Sequence, residues 1–76
     1  MVEAYVTIQT GGGTSQRVVE QIRNLDGVRK ASIVAGEFDI VAEVEADSER
    51  DLLTLITDQI QQLDGVGRTS TCIVLG

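Results

Sequence analysis

The chain has a single cysteine, no histidine, no proline and only two aromatic residues, Tyr5 and Phe38. One thiol, Cys72, forms no disulfide within the chain, and a Cys/His zinc site needs several such ligands at tetrahedral spacing. Two aromatic side chains also supply poor stacking platforms for single-stranded nucleic acid. From these shortages we expect that the protein binds no metal and no other cofactor. The single unpaired thiol fits a reducing cytoplasm.

Positive charge is scarce too, because six Lys and Arg residues stand against twelve Asp and Glu residues, for a net charge of -6. No cluster of Lys and Arg occurs along the chain, and an acidic surface repels phosphate backbones. We therefore expect no direct nucleic-acid binding. No apolar run approaches the roughly 20 residues of a membrane span, and no basic-then-apolar leader opens the sequence. The prediction is a soluble, cytoplasmic protein.

The length of 76 residues predicts one small domain over residues 1–76. A domain of this size buries only about 60% of the surface that its unfolded chain exposes. Small domains usually gain support from disulfides, a metal or oligomerisation. Because the composition disfavours the first two, we expect an oligomer.

Hydrophobic periodicity predicts the element order β-α-β-β-α-β. The predicted elements are a strand at 4–9, a helix capped by Thr14 or Ser15 and ended by Gly27, strands at 28–35 and 38–46 around a Gly36-Glu37 turn, a helix beginning at 47–51, and a strand at 66–75. Leu25-Asp-Gly-Val28 recurs as Leu63-Asp-Gly-Val66, which indicates a duplicated half. Right-handed crossovers then predict an α+β, ferredoxin-like fold with both helices on one face of a four-stranded antiparallel sheet.

The other sheet face has no predicted helix to cover it. Alternation directs one set of residues to the helices: Val6, Ile8, Ala31, Ile33, Phe38, Ile40, Ala42 and Val44. It directs another set to the open face: Tyr5, Thr7, Ser32, Val34, Asp39, Val41 and Glu43. The last strand adds either Thr69, Thr71 and Ile73 or Ser70, Cys72 and Val74. An exposed patch holding Tyr5, Val34 and Val41 predicts a dimer interface.

Three motifs have ordinary interpretations beside functional ones. The triple glycine at 11–13 lacks the spacing of a phosphate-binding loop, so a flexible connection is favoured. Asp39, Glu43 and Glu45 follow one strand without a histidine or nucleophile, so acid-base catalysis is disfavoured. Cys72 has no neighbouring base, which favours a buried or interface thiol. For Asp39, the sequence leaves two interpretations open, which are an ordinary residue of the turn and a contact with a ligand.

The stretch Gly36-Glu37-Phe38-Asp39-Ile40-Val41 resembles the Gly-x-aromatic-Asp hairpin of the effector-binding (RAM) domain of Lrp/AsnC, or feast/famine, transcription regulators. The closing segment, Leu63-Asp-Gly-Val66 and then Thr69-Ser-Thr71-Cys-Ile-Val-Leu75, is similar to that family's last helix junction and Thr-x-Thr strand. The resemblance covers nearly the whole chain in the same element order.

The resemblance implies a non-enzymatic module that forms dimers through the open sheet faces and rings of dimers. It further implies a small effector, typically an amino acid, bound between dimers by Gly36, Phe38, Asp39, Thr69 and Thr71. Family members also carry an N-terminal helix-turn-helix domain, whereas the first strand here begins close to Met1. We expect an effector domain without a DNA-binding domain, acting alone or with full-length Lrp/AsnC regulators, although a piece of a longer regulator would look similar.

Two alternatives share the predicted topology. An ACT-type regulatory module also binds amino acids, but it places its sheets side by side. A small dimeric α/β-barrel enzyme is less favoured, because the chain lacks histidine and has few aromatic residues.

Overall fold

The computed structural model describes residues 1–76 as one antiparallel sheet with two helical segments. The elements are β1 (Val2–Thr10), α1 (Ser15–Arg23), β2 (Val28–Ile33), β3 (Ile40–Ala46), α2 (Glu49–Thr54), a π-helical continuation (Leu55–Ile60) and β4 (Val66–Ile73). The strand order is β2-β3-β1-β4, and every neighbouring pair is antiparallel. This arrangement confirms the ferredoxin-like fold.

The core lies between the helices and one face of the sheet. It contains 14 buried residues, all apolar, and no buried polar side chain. Six of the eight residues expected to face the helices are in it: Val6, Ile8, Ala31, Ile40, Ala42 and Val44. Ile33 is instead 46% exposed, because it ends the edge strand β2, and Phe38 is half-buried in a loop.

The duplicated Leu-Asp-Gly-Val sequence forms the same turn twice. Gly27 and Gly65 both have φ of +96°, a conformation that favours glycine. The amide of Val28 donates to the Leu25 carbonyl at 3.3 Å, and the equivalent bond in the second half measures 3.2 Å. The prediction that Gly27 itself ends the first helix is wrong, since α1 stops at Arg23 and the glycine lies within the turn that follows.

The β2–β3 connection is longer than the predicted Gly36-Glu37 turn. It spans residues 34–39 and closes with a 2.9 Å hydrogen bond from the Val34 amide to the Asp39 carbonyl. A two-residue hairpin turn requires positive φ, usually at glycine, and Gly36 does not have it. The strands therefore separate earlier than predicted, at Ile33 and Ile40.

The second helix begins as expected, with the Ser48 hydroxyl accepting a 3.1 Å hydrogen bond from the Asp51 amide. Its later turns widen, and the Gln61 amide bonds to the Ile56 carbonyl five residues back, at 2.9 Å. The segment ends at Ile60, so Leu63 packs against the core from outside the helix. Neither helical segment has the length and apolar character needed to cross a membrane.

Candidate functional site

The sheet face opposite the helices is uncovered. The strand register places Glu43 and Cys72 on either side of Tyr5 in one row. In the next row, Val41 and Ser70 flank Thr7. Side chains of paired residues share a face, so the fourth strand contributes Ser70 and Cys72 to the open face, which decides between the two sets that the sequence left open.

Apolar groups lie among hydroxyls on this face. Tyr5 is 47% exposed, Cys72 is exposed and Val41 is half-buried. Val34, the third residue of the predicted interface, lies just beyond β2 and is 37% exposed. The structure thus places Tyr5 and Val41 on the sheet face itself and Val34 at its margin.

One end of the open face carries charges that the sequence pattern did not link. Glu3 and Glu45 are paired directly across β1 and β3. Arg29 lies 3.3 Å from a Glu3 oxygen through Nη1 and 3.7 Å from a Glu45 oxygen through Nε. It offsets the repulsion between two carboxylates that face each other. A register shift between Val28 and Lys30 interrupts the simple alternation of β2, so alternation alone could not find this contact.

Asp39 connects the 34–39 loop to the end of β1. Its Oδ2 accepts a 2.8 Å hydrogen bond from the Thr10 amide, and its own amide donates to the Ile8 carbonyl at 3.0 Å. Asp39 therefore has a local structural role. Its second carboxylate oxygen has no hydrogen-bond partner in the chain, so the ligand contact stays a prediction.

The other predicted ligand residues lie in two places. Gly36 and Phe38 share the 34–39 loop, where the Glu37 carbonyl accepts a bond from Gln9 Nε2 at 3.4 Å. Thr69 and Thr71 lie on β4 opposite Ile8 and Val6, so their side chains are on the helix-facing side. Gln61 Nε2 is 2.7 Å from Thr69 Oγ1.

Asp39 and Thr69 are at the same end of the sheet, on the two sides of β1. They are separated by about two strand spacings, or roughly 10 Å. No cleft of a single chain is lined by both. Thus the structure brings the two predicted groups to one end of the molecule without joining them into one pocket.

Two surface clefts lie elsewhere, both next to the turn around Gly27. The first, about 320 Å³, is lined by Arg23, Val28, Arg29, Lys30, Ala31 and Ser32. The second, about 300 Å³, is lined by Asp26, Gly27, Glu45, Ala46, Asp47, Asp51, Thr54, Leu55 and Gln59. The carboxylates of the second cleft are not arranged to hold a metal ion. Neither cleft contains a predicted ligand residue.

Solved structures share this fold over essentially the whole chain. TTHA0845 from Thermus thermophilus superposes with a TM-score of 0.95 at 33% identity, covering 100% of this chain and 95% of that one. FFRP-DM1 gives a TM-score of 0.95 at 33% identity, covering 99% of this chain and 100% of that one. Escherichia coli AsnC gives 0.92 at 25% identity, covering 99% of this chain and 51% of that one.

Sequence comparison gives the same assignment. An uncharacterized HTH-type transcriptional regulator of Pyrococcus furiosus is 36% identical over 62 residues, and one of Pyrococcus abyssi is 34% identical over 62 residues. Each match covers 82% of this chain and 41% of the relative, so the chain spans less than half of those regulators. The sequence model of the Lrp/AsnC ligand binding domain matches residues 3–76. The chain therefore belongs to the Lrp/AsnC ligand-binding domain family.

Proposed function

We propose that this domain senses a small effector, an amino acid, and associates with a second copy through its open sheet face. In this way it modulates transcription regulators of the Lrp/AsnC type. The observation that carries the proposal is the uncovered face around Tyr5, Val41 and Cys72 on a domain of a ligand-binding family.

Self-association is supported by the balance between core and surface. Only 14 residues are buried, so the isolated chain has little apolar burial to offset its conformational entropy. The face bearing Tyr5 and Val41 offers further apolar surface that a second copy can cover. An isologous contact between two identical faces is the commonest way in which a soluble protein forms a dimer.

Amino-acid binding is supported by the chemistry of the loop at 34–39. The second oxygen of Asp39 can accept a charge-assisted hydrogen bond from an ammonium group. Loop amides near Gly36 and Phe38, with the Thr69 and Thr71 hydroxyls of another copy, can bind a carboxylate. A Neisseria meningitidis transcriptional regulator with this fold, 16% identical, was solved in complex with L-Met.

The regulatory interpretation is favoured over an enzyme because the Pyrococcus relatives are named as transcriptional regulators and the family domain is a ligand-binding one. The match to the Lrp/AsnC ligand binding domain disfavours an ACT-like module, which also binds amino acids on this topology. The two differ in assembly, because sheets lie face to face in the proposed dimer and side by side in the ACT arrangement.

A thermal-shift screen against the twenty amino acids, followed by calorimetric titration of each hit, tests effector binding. A ligand that binds only the folded state raises its stability by mass action, by about 2.7 kcal/mol at one hundred times Kd. We expect at least one L-amino acid to raise Tm and its D-enantiomer to bind more weakly. If no amino acid shifts Tm at millimolar concentration and none gives a calorimetric signal, the effector proposal is wrong.

A further inference from the structure

The structure gathers positive charge that is dispersed in the sequence. Three of the six cations of the chain, Arg23, Arg29 and Lys30, line the first cleft, and no acidic residue lines it. The chain has twice as many acidic as basic residues, so a cleft whose charged residues are all basic is unusual for this surface. Arg23 comes from the end of α1, whereas the other two come from β2.

The Arg23 guanidinium is held in place at the outer edge of the sheet. Its Nε donates a 3.0 Å hydrogen bond to the Ala31 carbonyl of β2. The strand β2 is an edge strand, so this carbonyl has no neighbouring strand to bond. With Nε engaged, Nη1 and Nη2 keep their donors for another acceptor.

Arg29 and Lys30 differ in what they leave available. Arg29 is already paired with Glu3 and Glu45, which offset its charge. Lys30 forms no ion pair within the chain, although Glu43 lies opposite it in β3. The uncompensated positive charge of the cleft therefore rests on Arg23 and Lys30.

We propose that this cleft, defined by Arg23 and Lys30 at the outer edge of β2, binds the phosphate group of a small phosphate monoester. A guanidinium offers two donors to two oxygens of one phosphate, and an ammonium serves the third. The volume of about 320 Å³ accommodates the phosphate and a small organic part, at the lower end of small-molecule sites.

This site is separate from the proposed amino-acid site. Asp39, Gly36 and Phe38 do not line the cleft, and Thr69 and Thr71 lie on β4 at the opposite edge of the sheet. The phosphate proposal therefore stands or fails independently of effector binding.

The test is a ¹H–¹⁵N NMR titration of the full chain with inorganic phosphate, with glucose 6-phosphate and with glucose, against sodium chloride at matched ionic strength. We expect saturable shifts at residue 23 and at 28–32 with both phosphates and none with glucose. Tighter binding of glucose 6-phosphate than of inorganic phosphate supports the monoester. Equal or weaker binding overturns the organic part of the proposal.

Matched variants locate the binding. Arg23→Gln and Lys30→Gln should each raise Kd for glucose 6-phosphate about fivefold, because each removes one exposed charge. Arg68→Gln removes an equal charge from the opposite edge strand and should leave Kd unchanged, as should Asp39→Asn. The proposed site is wrong if the shifts are no larger than those with chloride, or if the strongest shifts occur at residues 48–51. It is also wrong if all variants have equal Kd.

Discussion

Asp39 has a structural role in the chain, and its proposed contact with a ligand would use its other oxygen. One oxygen accepts the Thr10 amide, which joins a loop to a strand 29 residues earlier in the chain. Local sequence cannot reveal that partner, because the contact depends on the pairing of β1 and β3. By contrast, the Ser48 cap was predictable, because its partner Asp51 is only three residues away.

Two substitutions of Asp39 separate the roles. Asp39→Asn keeps an oxygen for the Thr10 amide but removes the charge, so the fold should survive while affinity for the amino acid falls about 10- to 150-fold. Asp39→Ala removes both the accepting oxygen and the charge, so it should also lower the free energy of unfolding by about 1–3 kcal/mol. Calorimetry and urea unfolding measure the two effects. Equal dissociation constants for wild type and Asp39→Asn would restrict Asp39 to its structural role.

Ser48 provides a second test at a single residue. Ser48→Ala removes the hydroxyl that accepts the Asp51 amide and should destabilise the fold by about 1 kcal/mol. Ser48→Asp retains a capping oxygen and should be close to wild type. Chemical denaturation at one fixed protein concentration compares them. A similar loss of stability in both variants would contradict the capping role.

Among the elements, sequence periodicity predicted the order and type of each one and most of the buried residues, but not every end and not the exposure of Ile33. The prediction of a tight β2–β3 turn was wrong, because Gly36 lacks the positive φ that such a turn requires. The loop at 34–39 is instead hydrogen-bonded to β1. The π-helical widening after Thr54 was not predicted either, since Leu52, Ile56 and Ile60 fit an ordinary helix equally well. The loop at 34–39 depends on its contacts with β1, which lie beyond the local pattern.

The duplicated junctions give a prediction for the elements. A Cβ at Gly27 would lie 2.9 Å from the Glu45 carbonyl oxygen, on a backbone with φ of +96°. Gly27→Ala should therefore destabilise the fold by about 1–3 kcal/mol. At Gly36 a Cβ would meet no atom within 4 Å and φ is not positive, so Gly36→Ala should change stability by less than about 0.5 kcal/mol. Equal unfolding midpoints for the two variants would contradict this account.

For the whole molecule, the sequence was informative about the two sheet faces and uninformative about clefts. Alternation identified Tyr5 and Val41 as open-face residues, because strand period alone determines a face. The basic cleft went unpredicted, since Arg23 and Lys30 line one cleft only after α1 packs beside β2. An effector site shared between copies is likewise outside what one chain's pattern can predict.

A charge placed on the open face tests the proposed dimer. Val41→Glu should raise the dimer dissociation constant at least about tenfold, because association would bury a carboxylate without a partner. Leu53→Glu is the matched control, since Leu53 is 52% exposed on α2, away from the sheet face. Light scattering behind a sizing column compares the masses. Equal weakening by both substitutions would argue against this face as the interface.

Sedimentation equilibrium of the wild-type chain shows whether a second copy associates with the first, as covering the open sheet face requires. The chain mass is 8.2 kDa. Across a micromolar concentration series at near-physiological salt, we predict a weight-average mass of at least twice that value, falling only at the lowest concentrations. A mass equal to one chain at every concentration would contradict a dimer formed through this face.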